Sequence, residues 1–347
     1  MTPHPAPERR GITAAGNWIV DRVKTLDAFP GRGMLANILS ETRSPGGAPA
    51  NVLADLARLG APFPLAGYGL VGDDADGRYL RETFAALGVD LRGLRATPDA
   101  GTSYTDVMTE RDGGARTFFH SRGANRLFAR AHVPAAELTC RIFHFGYLLL
   151  LDAFDAPTPD GRSTQAAALL ADIRRTGIRA CVDVVSEESD RFKKLVTPVL
   201  GAVDYLVLNE IETGRATGRA VRDAAGKLDG PALKDAVEEL FAQGDMELIA
   251  VHLPEGFYLR ERSGRRAARG SLRLPDGYVA GAVGAGDAFC AGMLYGLHEG
   301  WDPMEAGHLG SCCAAASLAA ADASSGVRPL EETLNLGRRF GERPPPC

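Results

Sequence analysis

The chain has 347 residues, of which 45% are hydrophobic and 24% charged, with 39 Lys and Arg against 44 Asp and Glu and a formal net charge of −5. That length can bury a sizeable core without disulfide or metal staples, and the acidic balance argues against general nucleic-acid binding. Glycine is the outlier: 41 of 347 residues is well above the usual ~7%, yet with 21 prolines the chain still falls short of a disordered composition. The glycines are therefore expected at specific backbone positions of a folded protein.

In chain order, Met1–Arg10 is Pro-rich and polar, with no apolar signal-peptide core. A helix is predicted from Pro49 to before Gly60, a strand over 63–68 and a helix over 75–87 that stops at Gly88. A strand over 141–150, a helix over 163–176, a strand over 179–185 and a helix over 189–200 follow. A strand over 203–208, a helix over 231–243 and a strand over 247–252 complete the run. This alternation predicts βαβ units and a mostly parallel, doubly wound sheet with helices on both faces. Residues 17–44 and 102–122 break the rhythm with short strand-like runs and a turn at Asp112-Gly113-Gly114, and are assigned to a small second sheet. The ends, 1–11 and 341–347, read as flexible around one unit spanning 12–330.

No apolar run reaches the ~18 residues of a membrane span. The six cysteines (Cys140, Cys181, Cys290, Cys312, Cys313 and Cys347) form no C-x-x-C pair, so no sequential zinc or thioredoxin-like motif is present. A cytoplasmic protein is expected, with neither membrane nor nucleic acid as partner.

Three glycine-rich motifs stand out. In Gly284-Ala285-Gly286-Asp287, with a helix expected to begin at Asp287, backbone N–H groups converge on one spot, where the helix dipole favours an anion. A carboxylate there makes sense as a base that takes a proton from an attacking hydroxyl while the N–H groups hold a phosphoryl; otherwise it is an ordinary N-cap. Gly46-Gly47-Ala48-Pro49-Ala50-Asn51 can lay a small ligand against bare backbone, with Asn51 offering one donor and one acceptor to a polyol, or it is a tight turn. Gly67-Tyr68-Gly69-Leu70-Val71-Gly72 is a literal G-x-G-x-x-G, but Asp73, Asp74 and Asp76 would repel a pyrophosphate, so a tight strand-to-helix turn is expected. Asn209-Glu210-Ile211-Glu212 ends a predicted strand, where ligands bind in open α/β sheets; its oxygens suit Mg²⁺ through water, or simply start a helix.

Together these motifs resemble the ribokinase-like (PfkB-type) carbohydrate kinases over about residues 12–330. Gly16…Asp21 is similar to that family's first strand with its substrate-binding aspartate, Gly46-Gly47…Asn51 to its first signature, and Gly69-Leu70-Val71-Gly72-Asp73-Asp74 to the usual continuation. Asn209-Glu210-Ile211-Glu212 resembles the N-x-x-E motif associated with Mg²⁺ and phosphate, and Gly284-Ala285-Gly286-Asp287 with Phe289 resembles the second signature. The resemblance implies a ribokinase-like fold with a β-sheet lid made of 17–44 and 102–122, and a homodimer through the lid. It also implies ATP-dependent phosphorylation of a hydroxymethyl group: Asp287 is the base, Gly284–Gly286 the anion hole, and Asp21, Gly46, Gly47 and Asn51 hold the sugar. Asn209 and Glu212 would lie near Mg²⁺.

Two departures matter. Gly281-Ala282-Val283 replaces the segment whose aspartate serves a monovalent-cation site in relatives, which puts K⁺ activation in question, and Pro254 replaces a usual glycine of the nucleotide loop. The segment from Cys312 to Val327 is expected to border the adenine. Ala48 stands where several phosphosugar and ribose kinases have lysine, so the resemblance implies a neutral ketose, fructose first. A keto-deoxy-sugar acid read by Arg122, a nucleoside, and a ligand sensor without turnover remain as alternatives.

Overall fold

The computed structural model describes residues 9–111, 116–185, 191–320 and 322–347. The expected Asp112-Gly113-Gly114 turn and the first eight residues lie outside them. Nine strands form the main sheet, in the spatial order Arg266–Gly270, Gly256–Glu261, Leu248–Leu253, Tyr205–Asn209, Arg179–Val184, Ile142–Leu148, Ile12–Gly16, Leu65–Gly72 and Asp90–Thr97. The strands from Leu248–Leu253 to Asp90–Thr97 run parallel, and the other two fold back antiparallel at the edge.

Alternate side chains of the parallel strands feed two cores. Leu206 and Leu208 enter one, with Leu169, Leu170 and Ile173 of helix Gln165–Arg175 and Leu233 and Val237 of helix Gly230–Phe241. Val207 enters the other, with Leu53 and Leu56 of helix Ala48–Arg58, Phe289, Met293 and Leu294 of helix Ala285–His298 and Leu309 of helix Pro303–Leu318. Burial on both faces is why these strands read as unbroken apolar runs. Glycines bring the last two helices together: a Cβ on Gly292 would lie 2.7 Å from the Gly310 backbone.

A separate four-stranded sheet has the order Ile38–Gly46, Ile19–Leu26, Tyr104–Glu110 and Arg116–Ser121, as expected of the lid. Both inner strands run parallel to each other. Asp21 therefore lies on a lid strand, not on the first strand of the main sheet, which ends at Gly16.

Other expectations are corrected. Gly67–Gly72 is not a turn: it lies inside strand Leu65–Gly72, and the turn follows at Asp73. Its glycines make room for a ring, since a Cβ on Gly69 would fall 2.2 Å from Trp18 and one on Gly67 2.6 Å from it. Nothing there cradles a dinucleotide. The helix expected over 189–200 is a short one, Phe192–Val196, continued as a 3₁₀ turn Thr197–Ala202 containing Pro198, which lacks the N–H a regular helix needs; residues 186–190 lie outside the described ones. At the chain's end, helix Leu330–Phe340 packs on the core, and 341–347 is tied down rather than loose. Glu342 pairs with Arg269 at 2.8 Å and His308 at 3.0 Å, and Arg343 N–H donates to Ser271 O. Arg9 and Gly11 are similarly held, by Leu138 O and His298 Nε2. All six cysteines are free, and no helix among the described residues is long and apolar enough to cross a membrane.

Candidate active site

Helix Ala285–His298 begins two residues earlier than expected, with Gly284 as N-cap at φ 80°. Only glycine suits that position: the backbone is left-handed, and a Cβ would lie 2.4 Å from Ala323 O. Asp287 is thus not the cap but sits in the first turn, beside N–H groups that have no helical carbonyl to bind. Its position puts a carboxylate and unbonded helix N–H groups on one turn of helix.

The Asp287 carboxylate is buried and surrounded by donors. Asn51 Nδ2 donates to Oδ2 at 2.7 Å, and the Tyr147 hydroxyl lies 2.8 and 2.7 Å from Oδ1 and Oδ2. Asp183 adds a third hydrogen bond. Burial, and then Cys290, Asp287 and Glu212 around it, raise the Asp183 carboxyl well above the usual range, so it carries the proton it shares with Asp287. Burial raises Asp287 to about 6, while Asn51, Tyr147 and Asp183 favour its charged form. An ionised carboxylate with a pKa near the working pH is suited to accept a proton. Tyr147 is itself fixed by Asn17, whose Oδ1 accepts from the Tyr147 N–H at 2.8 Å.

Lid and main sheet meet at Asp21. Its carboxyl is buried, accepts from Thr105 and feels Asp287; burial first, then Asp287, raises it to about 7. A Cβ on Gly46 would fall 2.2 Å from Asp21 Oδ2, and Gly47 holds φ 90° with its open side 2.0 Å from Asn17 O. Gly46 and Gly47 therefore let Asp21, Asn17 and Asn51 close on one place. Asn51 Oδ1 and Asn17 Nδ2 are buried there without partners.

Asn209 and Glu212 cap helix Glu210–Thr217 reciprocally: Asn209 Oδ1 accepts from Glu212 N–H at 2.8 Å and Glu212 Oε2 from Asn209 N–H at 2.9 Å. The helix-start reading of this motif holds, and the site reading is compatible with it. Both residues line a cavity of about 240 Å³ with Asp287, Tyr147, Asp183 and Gly286. Hard oxygen donors at that wall fit Mg²⁺ held through water. His252, half-buried and kept neutral by desolvation that pushes its pKa down to about 4, lines the same wall. Asn209, His252 and Gly286 also border a second cavity of about 740 Å³, walled by Leu253, Pro254, Phe289, Ala314, Ala315 and Leu318. The helix expected to border the adenine is among its walls. Where a nucleotide loop was expected, Leu253 and Gly256 pair across a tight hairpin turn, pinned by Arg222 on Glu255 at 2.8 Å.

The structure brings together Asp287, Gly284–Gly286, Asn51, Asp21, Gly46, Gly47, Asn209 and Glu212. Arg122 pairs with Asp152, its guanidinium at 2.5 Å. Arg116 instead lines the narrow gap beside Asp21. Tyr147 and Asp183 escaped the sequence reading because no motif marks them. They come from the carboxyl ends of two strands, and that placement was the available signal.

Residues 11–329 match the pfkB family of carbohydrate kinases. Probable fructokinase-7 of Arabidopsis thaliana is 28% identical over 298 residues, covering 82% of this chain and 78% of that protein. The fructokinase of Klebsiella pneumoniae is 30% identical over 265 residues, covering 73% of this chain and 76% of the relative. In fold, the ribokinase of Arabidopsis thaliana, solved with ribose and ATP, superposes with a TM-score of 0.77 at 20% identity over 95% of this chain and 99% of that one.

Proposed function

Because the chain belongs to the pfkB family of carbohydrate kinases, we propose that it transfers the terminal phosphoryl group of ATP to a hydroxymethyl group of a small neutral sugar, a ketose such as fructose first. The observation that carries this reading is Asp287: an ionised, hydrogen-bonded carboxylate in the first turn of a helix, facing a cavity that shares Asn209, His252 and Gly286 with a larger one. Asp287 takes the proton of the attacking hydroxyl, while Tyr147, Asn51 and Asp183 fix the orientation of its two oxygens. The N–H groups of Ala285, Gly286 and Asp287 face the oxygens of the transferring group as charge develops. Asn51 Oδ1 and Asn17 Nδ2, without protein partners, offer an acceptor and a donor to sugar hydroxyls next to Asp21. Asn209 and Glu212 would hold Mg²⁺, which supplies neutralisation of the nucleotide phosphates when bound. Closure of the lid would exclude water.

A second reading has one observation behind it. Arg116 beside Asp21 would suit a sugar acid, a part also open to Arg122. An ADP-release screen over ketoses, aldoses, keto-deoxy sugar acids and nucleosides separates the two, and no ADP release above background with any of them would refute the kinase reading in favour of a ligand sensor. The exposed Ile38, Leu39, Phe118 and Phe119 on the lid's outer strands support a homodimer formed through the lid.

A further inference from the structure

Three buried donors that no sequence motif links meet beneath the catalytic helix. His144 comes from strand Ile142–Leu148, Asp183 from strand Arg179–Val184 and Cys290 from helix Ala285–His298. One ligand atom from each lies within 4.8 Å of the other two. His144 is fully buried, and neither of its ring nitrogens has a hydrogen-bond partner. Buried polar groups in folded proteins are nearly always satisfied, so an imidazole left this way points to a partner that protein atoms do not supply.

We propose that His144, Asp183 and Cys290 form a binding site for one divalent transition-metal ion of the Zn²⁺ type. The nitrogen, oxygen and sulfur donor set suits Zn²⁺ and excludes Mg²⁺, which prefers oxygens alone. Burial keeps the imidazole neutral, the form that ligates. Cys181 pairs with His144 in the parallel register, and its thiol hydrogen-bonds that of Cys290, so it stands ready to support a bound thiolate. Asp183 also lines the cavity beside Asp287, which gives the ion an entry path and leaves a fourth position for water. On binding, the metal–sulfur bond replaces the Cys290 thiol proton and the metal–oxygen bond replaces the proton held by Asp183; both leave to solvent, so affinity rises with pH.

The test uses the full chain, freed of metal by chelator dialysis and titrated with Co²⁺ as spectroscopic probe. One equivalent is expected to produce a thiolate-to-cobalt charge-transfer band and tetrahedral visible bands, both erased by Zn²⁺. His144→Gln and Cys290→Ser are expected to abolish the charge-transfer band. Cys312→Ser, which alters the other His–Cys contact (His308, 3.8 Å), should keep it. Absence of the band in the native chain, or its persistence in Cys290→Ser, overturns the proposal. Should either variant unfold, zinc content after gel filtration of the native chain decides: one ion per chain supports the site and none refutes it. No arm of the experiment depends on kinase activity.

Discussion

Asp21→Asn separates what the buried carboxylate costs from what it contributes. The Asp21 carboxyl goes from 3.8 in the unfolded chain to about 7 in the folded one, through burial and then the field of Asp287. Below 3.8 both states hold the proton and nothing is gained or lost. As pH rises toward 7 the unfolded chain ionises first, and the folded state is progressively disfavoured. At ~1.4 kcal/mol per pH unit, the interval from 3.8 to about 7 amounts to about 4 kcal/mol by pH 8. The amide cannot ionise and escapes that penalty, from which the favourable hydrogen bond of Thr105 to the carboxylate has already been deducted. A net gain of about 4 kcal/mol at pH 8 should raise the melting temperature by roughly 5 °C in a chain of this size. At pH 4 the two proteins should melt nearly together. Thermal melts at both pH values, subtracting variant from native, isolate Asp21 from the other buried carboxyls. The same variant should raise KM for the sugar while leaving kcat less affected. A variant less stable than the native chain at pH 8, or a stability difference that does not change with pH, would refute the reasoning.

Asp287→Asn should lower kcat by ~10²–10⁴-fold while leaving the far-ultraviolet circular dichroism unchanged; near-native turnover would remove Asp287 from the role of base. Tyr147→Phe removes the hydroxyl 2.7 Å from Asp287 Oδ2, worth roughly 1.5–3 kcal/mol, and so should cost ~10–100-fold in kcat at little change in KM, measured by steady-state kinetics. On the lid, Phe119→Glu places a charge on a side chain that is 53% exposed, and sedimentation should show a smaller species than the native chain if that face joins two copies.

Most of the large domain was legible because each βαβ unit declares itself locally, by apolar runs, by Pro49 at a helix start and by Gly88 at a helix end, where φ is 76°. The lid was legible only by default, as the stretches without helical period. Illegibility began where the meaning of a residue depends on a distant partner. Gly67 and Gly69 look like a phosphate loop in sequence, but their lack of Cβ serves Trp18, some fifty residues away. The tail from Gly341 looks like a loose Pro-rich end, yet Glu342 finds Arg269 and His308 across the fold. Asp287 was recognisable from its glycines, whereas the Tyr147 and Asp183 that hold it were not, because strand ends 36 residues apart in the chain (147 to 183) become neighbours only when the sheet assembles.

The segment before Gly284 bears on ion dependence. Gly281-Ala282-Val283 carries no carboxylate, and Ala280 and Gly281 N–H groups donate to Leu318 O, which fixes the backbone there. The segment thus offers a monovalent cation no carboxylate, and the Leu318 carbonyl is already engaged by two N–H groups. Turnover should therefore be the same in potassium, sodium and choline chloride at equal ionic strength. Activation by K⁺ alone would refute this and would point to Asp322. That residue lines the gap beside Val283 and Asp21, and its Oδ1 already accepts from the N–H groups of Ser324 and Ser325 at 3.1 and 2.7 Å. Asp322→Asn would then abolish the activation, since the carboxylate standing in for the missing one would be gone.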